Sequence, residues 1–169
     1  MQPAALFSLA EYSKSIGLST GLHTNGVYPD VIKNLIDKRL IDHIALDIKA
    51  EYDLYIKRGK EISVGKQVKL SLIECTESYH KGKLPSFEVV LTLLPDLYKD
   101  VITTTNDIAS DVDLVFQQGI YRTKPPLSIE DMKRIADQIG RKIRIRSRDI
   151  GEIFYESNSS SGDARIRER

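Results

Sequence analysis

The chain has 169 residues and a nearly balanced charge, 25 basic against 24 acidic side chains for a net +1. That length suits one domain with a real core, and the balance removes any electrostatic argument for nucleic acid or an anionic membrane as partner. No apolar run approaches the ~20 residues that span a bilayer, and the N-terminus lacks the charged and apolar regions of a secretory signal, so the expected location is the cytoplasm. One cysteine, Cys75, excludes an internal disulfide and a cysteine-ligated metal or iron–sulfur site built by this chain alone.

Helical and strand signals alternate along the chain. Gln2 to Ile16 reads as a helix, with Pro3 in the first turn, Leu6, Leu9 and Ile16 on one side, and Gly17 able to cap the end. Ser19 to Thr24 reads as a strand. Pro29 opens a second helix whose buried face would be Val31, Ile32, Leu35 and Ile36. His43 to Ile48 is a second strand, so apolar that both of its faces are expected to be covered. Between residues 51 and 85 a short helix is expected near Tyr52 to Lys57. A longer one follows from Val64 to Tyr79, where Val64, Val68, Leu72, Cys75 and Tyr79 recur at helical spacing.

Phe87 to Leu94 is the third strand, ended by Pro95. TTTNDIASD allows at most a short helix, and Asp113 to Gln118 is the fourth strand. Ser128 starts a helix with Asp131 three residues on as a capping box, Met132, Ile135 and Ile139 inward, and Gly140 as the stop. Ile143 and Ile145 alternate with Arg144 and Arg146 in a fifth strand. Two units result, an α/β domain over residues 1–156 and a serine-rich, then charged, disordered tail over 157–169. Strand–helix alternation at this spacing argues for right-handed βαβ units. The expected fold is an open twisted sheet or part of a barrel: about five parallel strands flanked by helices.

Two strand ends stand out, GLHTNG (Gly21 to Gly26) and HIALDIK (His43 to Lys49). Each apolar run stops abruptly in polar groups, and ligands of α/β proteins bind beyond the carboxyl ends of parallel strands. Side chains alternate along a strand, so Asp47 and Lys49 share one face and Ile44, Leu46 and Ile48 the other, while His23 and Asn25 fall together opposite Leu22. A carboxylate, an ammonium, an amide and an imidazole suit a zwitterionic or hydroxylated ligand. Lys49 would hold a carboxylate, Asp47 would accept from an amine or hydroxyl, and Asn25 would do both. The structural alternative is as good on residue type alone: Asp47 and Lys49 can pair with each other, and Asn-Gly is a turn signal in its own right. His23, His43 and His80 show no metal-ligand spacing. Cys75 reads as a small apolar packing group, Arg144 and Arg146 as a polar strand face, and GIYRTKPP as a loop. Gln117 and Gln118, ending an apolar strand, are lesser ligand candidates.

LHTNG, the Pro29 helix, IALDIKA and an apolar strand ending in Pro95 resemble the radical S-adenosylmethionine superfamily, over roughly Gln2 to Glu156. The likeness is to activating enzymes of glycyl-radical enzymes, the group of the anaerobic ribonucleoside-triphosphate reductase activating proteins and pyruvate formate-lyase activating enzyme. TNG alone is a weak signal, and TNG followed by LDIK at the next strand end is more specific. QQG and IRIRSRDIGE add to it.

The resemblance implies a partial (βα)6 barrel, S-adenosylmethionine and a 4Fe-4S cluster as cofactors, and as partners a glycyl-radical enzyme of the anaerobic ribonucleotide reductase type and an electron donor. It implies S-adenosylmethionine contacts from Thr24, Asn25, Asp47 and Lys49, with Asp47 and Lys49 orienting the methionyl zwitterion directly or through a cation. His23 stands where some of these enzymes carry Asp, and Val90 where some carry Arg. The group's CxxxCxxC and GGEP segments are absent from these residues. The chain therefore reads as the later part of such a barrel, from a misassigned start, a truncated gene or a deliberately shortened chain. It is expected to be inactive by itself. The competing expectation is a non-catalytic open α/β module that binds a nucleotide or a protein.

Overall fold

The computed structural model describes residues 3–49, 64–95, 98–120 and 124–157. Six strands form one sheet in the order β1-β2-β3-β4-β5-β6: β1 Gly21–Thr24, β2 His43–Ile48, β3 Ser86–Leu93, β4 Asp113–Gln118, β5 Ile143–Ser147 and β6 Gly151–Tyr155. The first five run parallel, and β6 returns antiparallel to β5. The helices are α1 Pro3–Ser15, α2 Pro29–Asp37, α3 Val64–His80, α4 Tyr98–Thr103 and α5 Ile129–Ile139, with a 3-10 turn at Thr104–Asp107.

The strand order never reverses. Right-handed crossovers between successive neighbours therefore put every connecting helix on the same side. The large core records this. It joins Ala10, Ile32, Leu35 and Ile36, Val68, Leu72 and Cys75, Val101, and Met132, Ile135 and Ala136 to one face of the sheet, formed by Ile44, Leu46, Ile48, Phe87, Val89, Leu91, Leu93, Leu114, Phe116, Ile143 and Ile145. The opposite face buries a small separate apolar patch of Ala45, Val90 and Val115, and the acid Glu88. Its other residues, from His23 to Arg146, are mainly polar. Both faces of β2 are covered in part, as expected: its residues are buried or half-buried, but one-way strand order leaves the second face without any described helix, so there the cover does not come from one. The sheet does not close, since β1 and β6 each have a neighbour on one side only.

Several local signals act as expected. Pro29 stands at the start of α2. Ser128 accepts from the Asp131 N–H while Asp131 accepts from the Ser128 N–H, a reciprocal box, and Gly140 ends α5 in the left-handed region at φ 72°. The sheet has six strands where about five were expected, because DIGEIFY contributes β6 after a tight turn. Alternation in β6 is weak, and its exposed Phe154 gives no inward signal. Helix α4 also goes beyond the expected short helix in TTTNDIASD, starting upstream at Tyr98.

In α1 the inward positions are Leu6, Phe7 and Ala10, while Leu9 and Ile16 are exposed. The true stripe is rotated by about one position (~100°) from the expected one. Ser157 is buried, its hydroxyl donating to the Asp137 carbonyl at 3.4 Å. The expected tail beyond it, and the short helix at Tyr52 to Lys57, lie outside the described residues.

Candidate functional site

The site begins with the turn after β1. Leu22 and Thr24 lie on the helix-covered face, and His23 lies on the open one. Beyond Thr24 the chain must reverse into α2. The Thr24 hydroxyl accepts the Gly26 N–H at 3.2 Å, and Asn25 Oδ1 accepts the Val27 N–H at 3.4 Å. Gly26 adopts φ +72°, and a Cβ there would come within 2.7 Å of Leu46 Cδ1. Only glycine meets both demands. Its carbonyl accepts from Ser71 Oγ at 2.6 Å, tying the turn to α3. Thr24 and Gly26 are consequently buried and serve the turn, while His23 and Asn25 stay exposed at its rim.

β2 supplies the acid. Its register with β1 pairs Thr24 with Leu46, so Asp47 emerges one residue beyond, on the His23 side. Asp47 Oδ1 accepts from Thr92 Oγ1 at 2.8 Å. Asp47 Oδ2 pairs with Lys49 Nζ and lies 3.9 Å from His23 Nε2. Asp47 is mostly covered (13% of its side chain exposed), whereas the His23 and Lys49 side chains are 65% and 54% exposed. An open depression of about 400 Å³ is lined by His23, Thr24, Asn25 and Asp47, within the size range of small-molecule sites. The TNG and LDIK strand ends therefore do meet at one rim. The Asp47–Lys49 pairing that residue types left open as a structural role is present as well.

Gln117 does not line this depression. It lies on β4 in register with Thr92, one strand further from the acid. Gln118 is committed to structure: its Nε2 donates to the Leu127 carbonyl at 2.8 Å and its Oε1 accepts the Arg148 N–H at 3.3 Å. Gly119 completes QQG because a Cβ would sit 2.7 Å from the Leu93 carbonyl oxygen. Val90 faces Asp47 directly across the β2–β3 register and is buried in the small apolar patch.

A second charged cluster occupies the same open face. Glu88 is buried and takes Arg146 Nη1 at 2.9 Å and Nη2 at 3.2 Å, together with Arg144 Nη2. Both arginines also pair with Glu152 on β6. Burial alone would raise the Glu88 pKa, but the hydrogen bonds and charge of Arg146, then those of Arg144, outweigh it and hold the carboxyl below its ordinary value. Arg144 and Arg146 are thus more than a polar strand face. The signal available beforehand was Glu88 itself, an acid within the apolar run FEVVL.

Cys75 is buried in α3, and burial pushes its thiol up to about 12. A thiol held so strongly protonated is a packing group and not a metal-binding thiolate. Among the described residues no group of three His, Cys, Asp or Glu side chains could hold a metal ion. The β1–β2 rim offers a carboxylate, an amide, an ammonium and an imidazole, whereas a single buried cysteine does not fit an iron–sulfur cluster. No helix among the described residues is long and apolar enough to cross a membrane.

Fold and site together define an α/β protein with a one-sided, mainly parallel sheet, bearing a covered acid and exposed imidazole, amide and ammonium groups at adjacent strand ends. Among known proteins the chain is similar to one of Methanocaldococcus jannaschii, named as a candidate glycyl-radical enzyme activating enzyme, with 31% identity over 84 residues. That match takes in 50% of this chain and 35% of the length of the relative. No protein-family model matches the chain.

Proposed function

We propose that this chain forms the S-adenosylmethionine-facing part of a radical S-adenosylmethionine activating protein, one that prepares a glycyl-radical enzyme. The observation that carries the reading is the convergence of the TNG and LDIK strand ends on one depression of about 400 Å³. The partial likeness to the archaeal relative, a candidate glycyl-radical enzyme activating enzyme by name, supports the same reading from an independent direction.

In this reading His23, Thr24, Asn25, Asp47 and Lys49 hold the ligand, with Gln117 as an outlying contact. The Asp47 carboxylate accepts from the ligand's ammonium or from a ribose hydroxyl, and the Lys49 ammonium meets its carboxylate. Lys49 would exchange its bond with Asp47 for one with the ligand, so no charge is left unmatched. Asn25, presented by the Thr24–Gly26 turn, offers both a donor and an acceptor at the rim. In the full family the 4Fe-4S cluster supplies the electron. The only cysteine here is buried and protonated, so this chain's own residues bind and orient the ligand and carry no cleavage step. A glycyl-radical enzyme and an electron donor are the partners of the complete activity.

Calorimetric titration of the full chain with S-adenosylmethionine tests the reading. Binding is expected for the wild type and a loss of at least tenfold for Asp47→Asn. A wild type that binds S-adenosylmethionine no better than Asp47→Asn, or not at all, would leave the non-catalytic binding module as the better description.

A further inference from the structure

We propose that Thr92 is a positioning residue for Asp47: its hydroxyl clamps one carboxylate oxygen and so reserves the other for the ligand. The inference rests on the ligand-binding reading above and adds to it a residue on a third strand. Thr92 lies on β3, two positions beyond Val90, which is the register partner of Asp47, and therefore on the same open face. Its Oγ1 donates to Asp47 Oδ1 at 2.8 Å. Lys49 Nζ and His23 Nε2 both approach Oδ2. The carboxylate is thus divided, one oxygen facing a neutral donor from within the sheet and the other facing the Lys49 ammonium and the His23 imidazole at the rim.

The clamp is stiff at both ends. β2 and β3 are hydrogen-bonded over six register pairs from His43–Ser86 to Ile48–Leu91. Leu91 and Leu93, on either side of Thr92, are fully buried in the large core. A β-branched threonine on such a strand has little freedom at χ1. Without the hydroxyl, the Asp47 carboxylate is free to rotate about χ2, and either oxygen can turn to Lys49. A ligand must then pay the ordering of that rotor on binding. Serine in place of threonine keeps the donor, whereas valine keeps the shape and removes it.

The test uses the isotope-labelled full chain, with Thr92→Val and Thr92→Ser compared by three readouts. The first is the carbon-13 resonance of the Asp47 carboxyl group without ligand. The second is the affinity for S-adenosylmethionine, and the third is the urea midpoint. Thr92→Val is expected to move the Asp47 resonance and to weaken binding about tenfold, through the ordering of the freed carboxylate. Thr92→Ser is expected to restore both, and a cooperative urea transition in each protein shows that all three are folded. An Asp47 resonance unchanged in Thr92→Val overturns the clamp. Unchanged affinity in Thr92→Val, where Asp47→Asn abolishes binding, overturns the positioning role while the ligand reading stands. If the wild type binds no S-adenosylmethionine, the ligand reading fails, and the resonance alone still decides whether Thr92 holds Asp47.

Discussion

Two clusters of opposite charges share the open face of this sheet, and they differ in how completely they satisfy themselves. Around Glu88, three strands supply a buried acid, two arginines and a second acid, and the guanidinium forks close on the carboxylates. Around Asp47, the acid is covered but its neighbours His23 and Lys49 are more than half exposed, and Asp47 and His23 line an open depression. The first arrangement spends its charges on the protein, since a buried carboxylate is tolerated only when its partners saturate it. The second keeps exposed polar groups next to a fixed acid, which is what a ligand needs. Charge alone would have ranked the Glu88 cluster higher, and the exposure of the partners reverses that order.

The contrast can be broken most forcefully at Glu88. Glu88→Ala removes the buried acid on which two arginines converge, leaving them Glu152 at the rim, and is expected to cost about 3 kcal/mol in a urea unfolding experiment, with little change in S-adenosylmethionine affinity. The wild type also carries a pH signature. Because the folded Glu88 pKa is lowered, its contribution to stability is present above the ordinary glutamate value of about 4.3 and is lost as pH falls through the folded value. The acid limb of the stability curve is therefore expected to flatten in Glu88→Gln. A stability loss under about 1 kcal/mol in Glu88→Ala would show that the saturated cluster is no more structural than the open one.

Gly26→Ala comes next. It combines a positive φ with a Cβ 2.7 Å from Leu46 Cδ1, and about 2 kcal/mol of destabilisation is expected from thermal unfolding. The same variant should weaken ligand binding, because the turn that presents Asn25 has to shift. Asp47→Asn sharpens the contrast from the other side. Its expected effect is a loss of at least tenfold in ligand affinity, about 1.4 kcal/mol, with stability changed by no more than about 0.5 kcal/mol. The smallest effect is expected at Glu152→Gln, on the rim of the saturated cluster. Rim ion pairs contribute roughly 0–1 kcal/mol, and this one should weaken further with added salt.

Much of this was legible in the residues. β2 and β4 were placed to the residue, His43–Ile48 and Asp113–Gln118, because each is a short apolar run with a sharp polar end. The Ser128–Asp131 box and Gly140 bounded α5 because capping is a local affair of a few residues. Alternation also put Asp47 opposite the isoleucines that pack on the helices. Thr92 and Glu88 are each a polar residue inside an apolar strand, but nothing within a few positions reveals the partner. Asp47 is 45 residues from Thr92, and Arg144 and Arg146 are 56 and 58 residues from Glu88. In α1 the apolar pattern points one position away from the packed face, because apolar residues occur around much of that helix and its own pattern does not name the face that packs.

The sequence by itself determined five of the six strands, the ends of β2 and β4, the turn glycines and the parity of the side chains on those strands, since these follow from local sterics and a repeat of two or 3.6 residues. Tertiary structure alone decided the rest. The unreversed strand order laid every described helix on one face and opened the other, the β2–β3 register set Thr92 against Asp47, and β6 turned back to supply Glu152 to the arginines. Those outcomes depend on which distant segments become neighbours, and the global packing of the core settles that where local pattern does not.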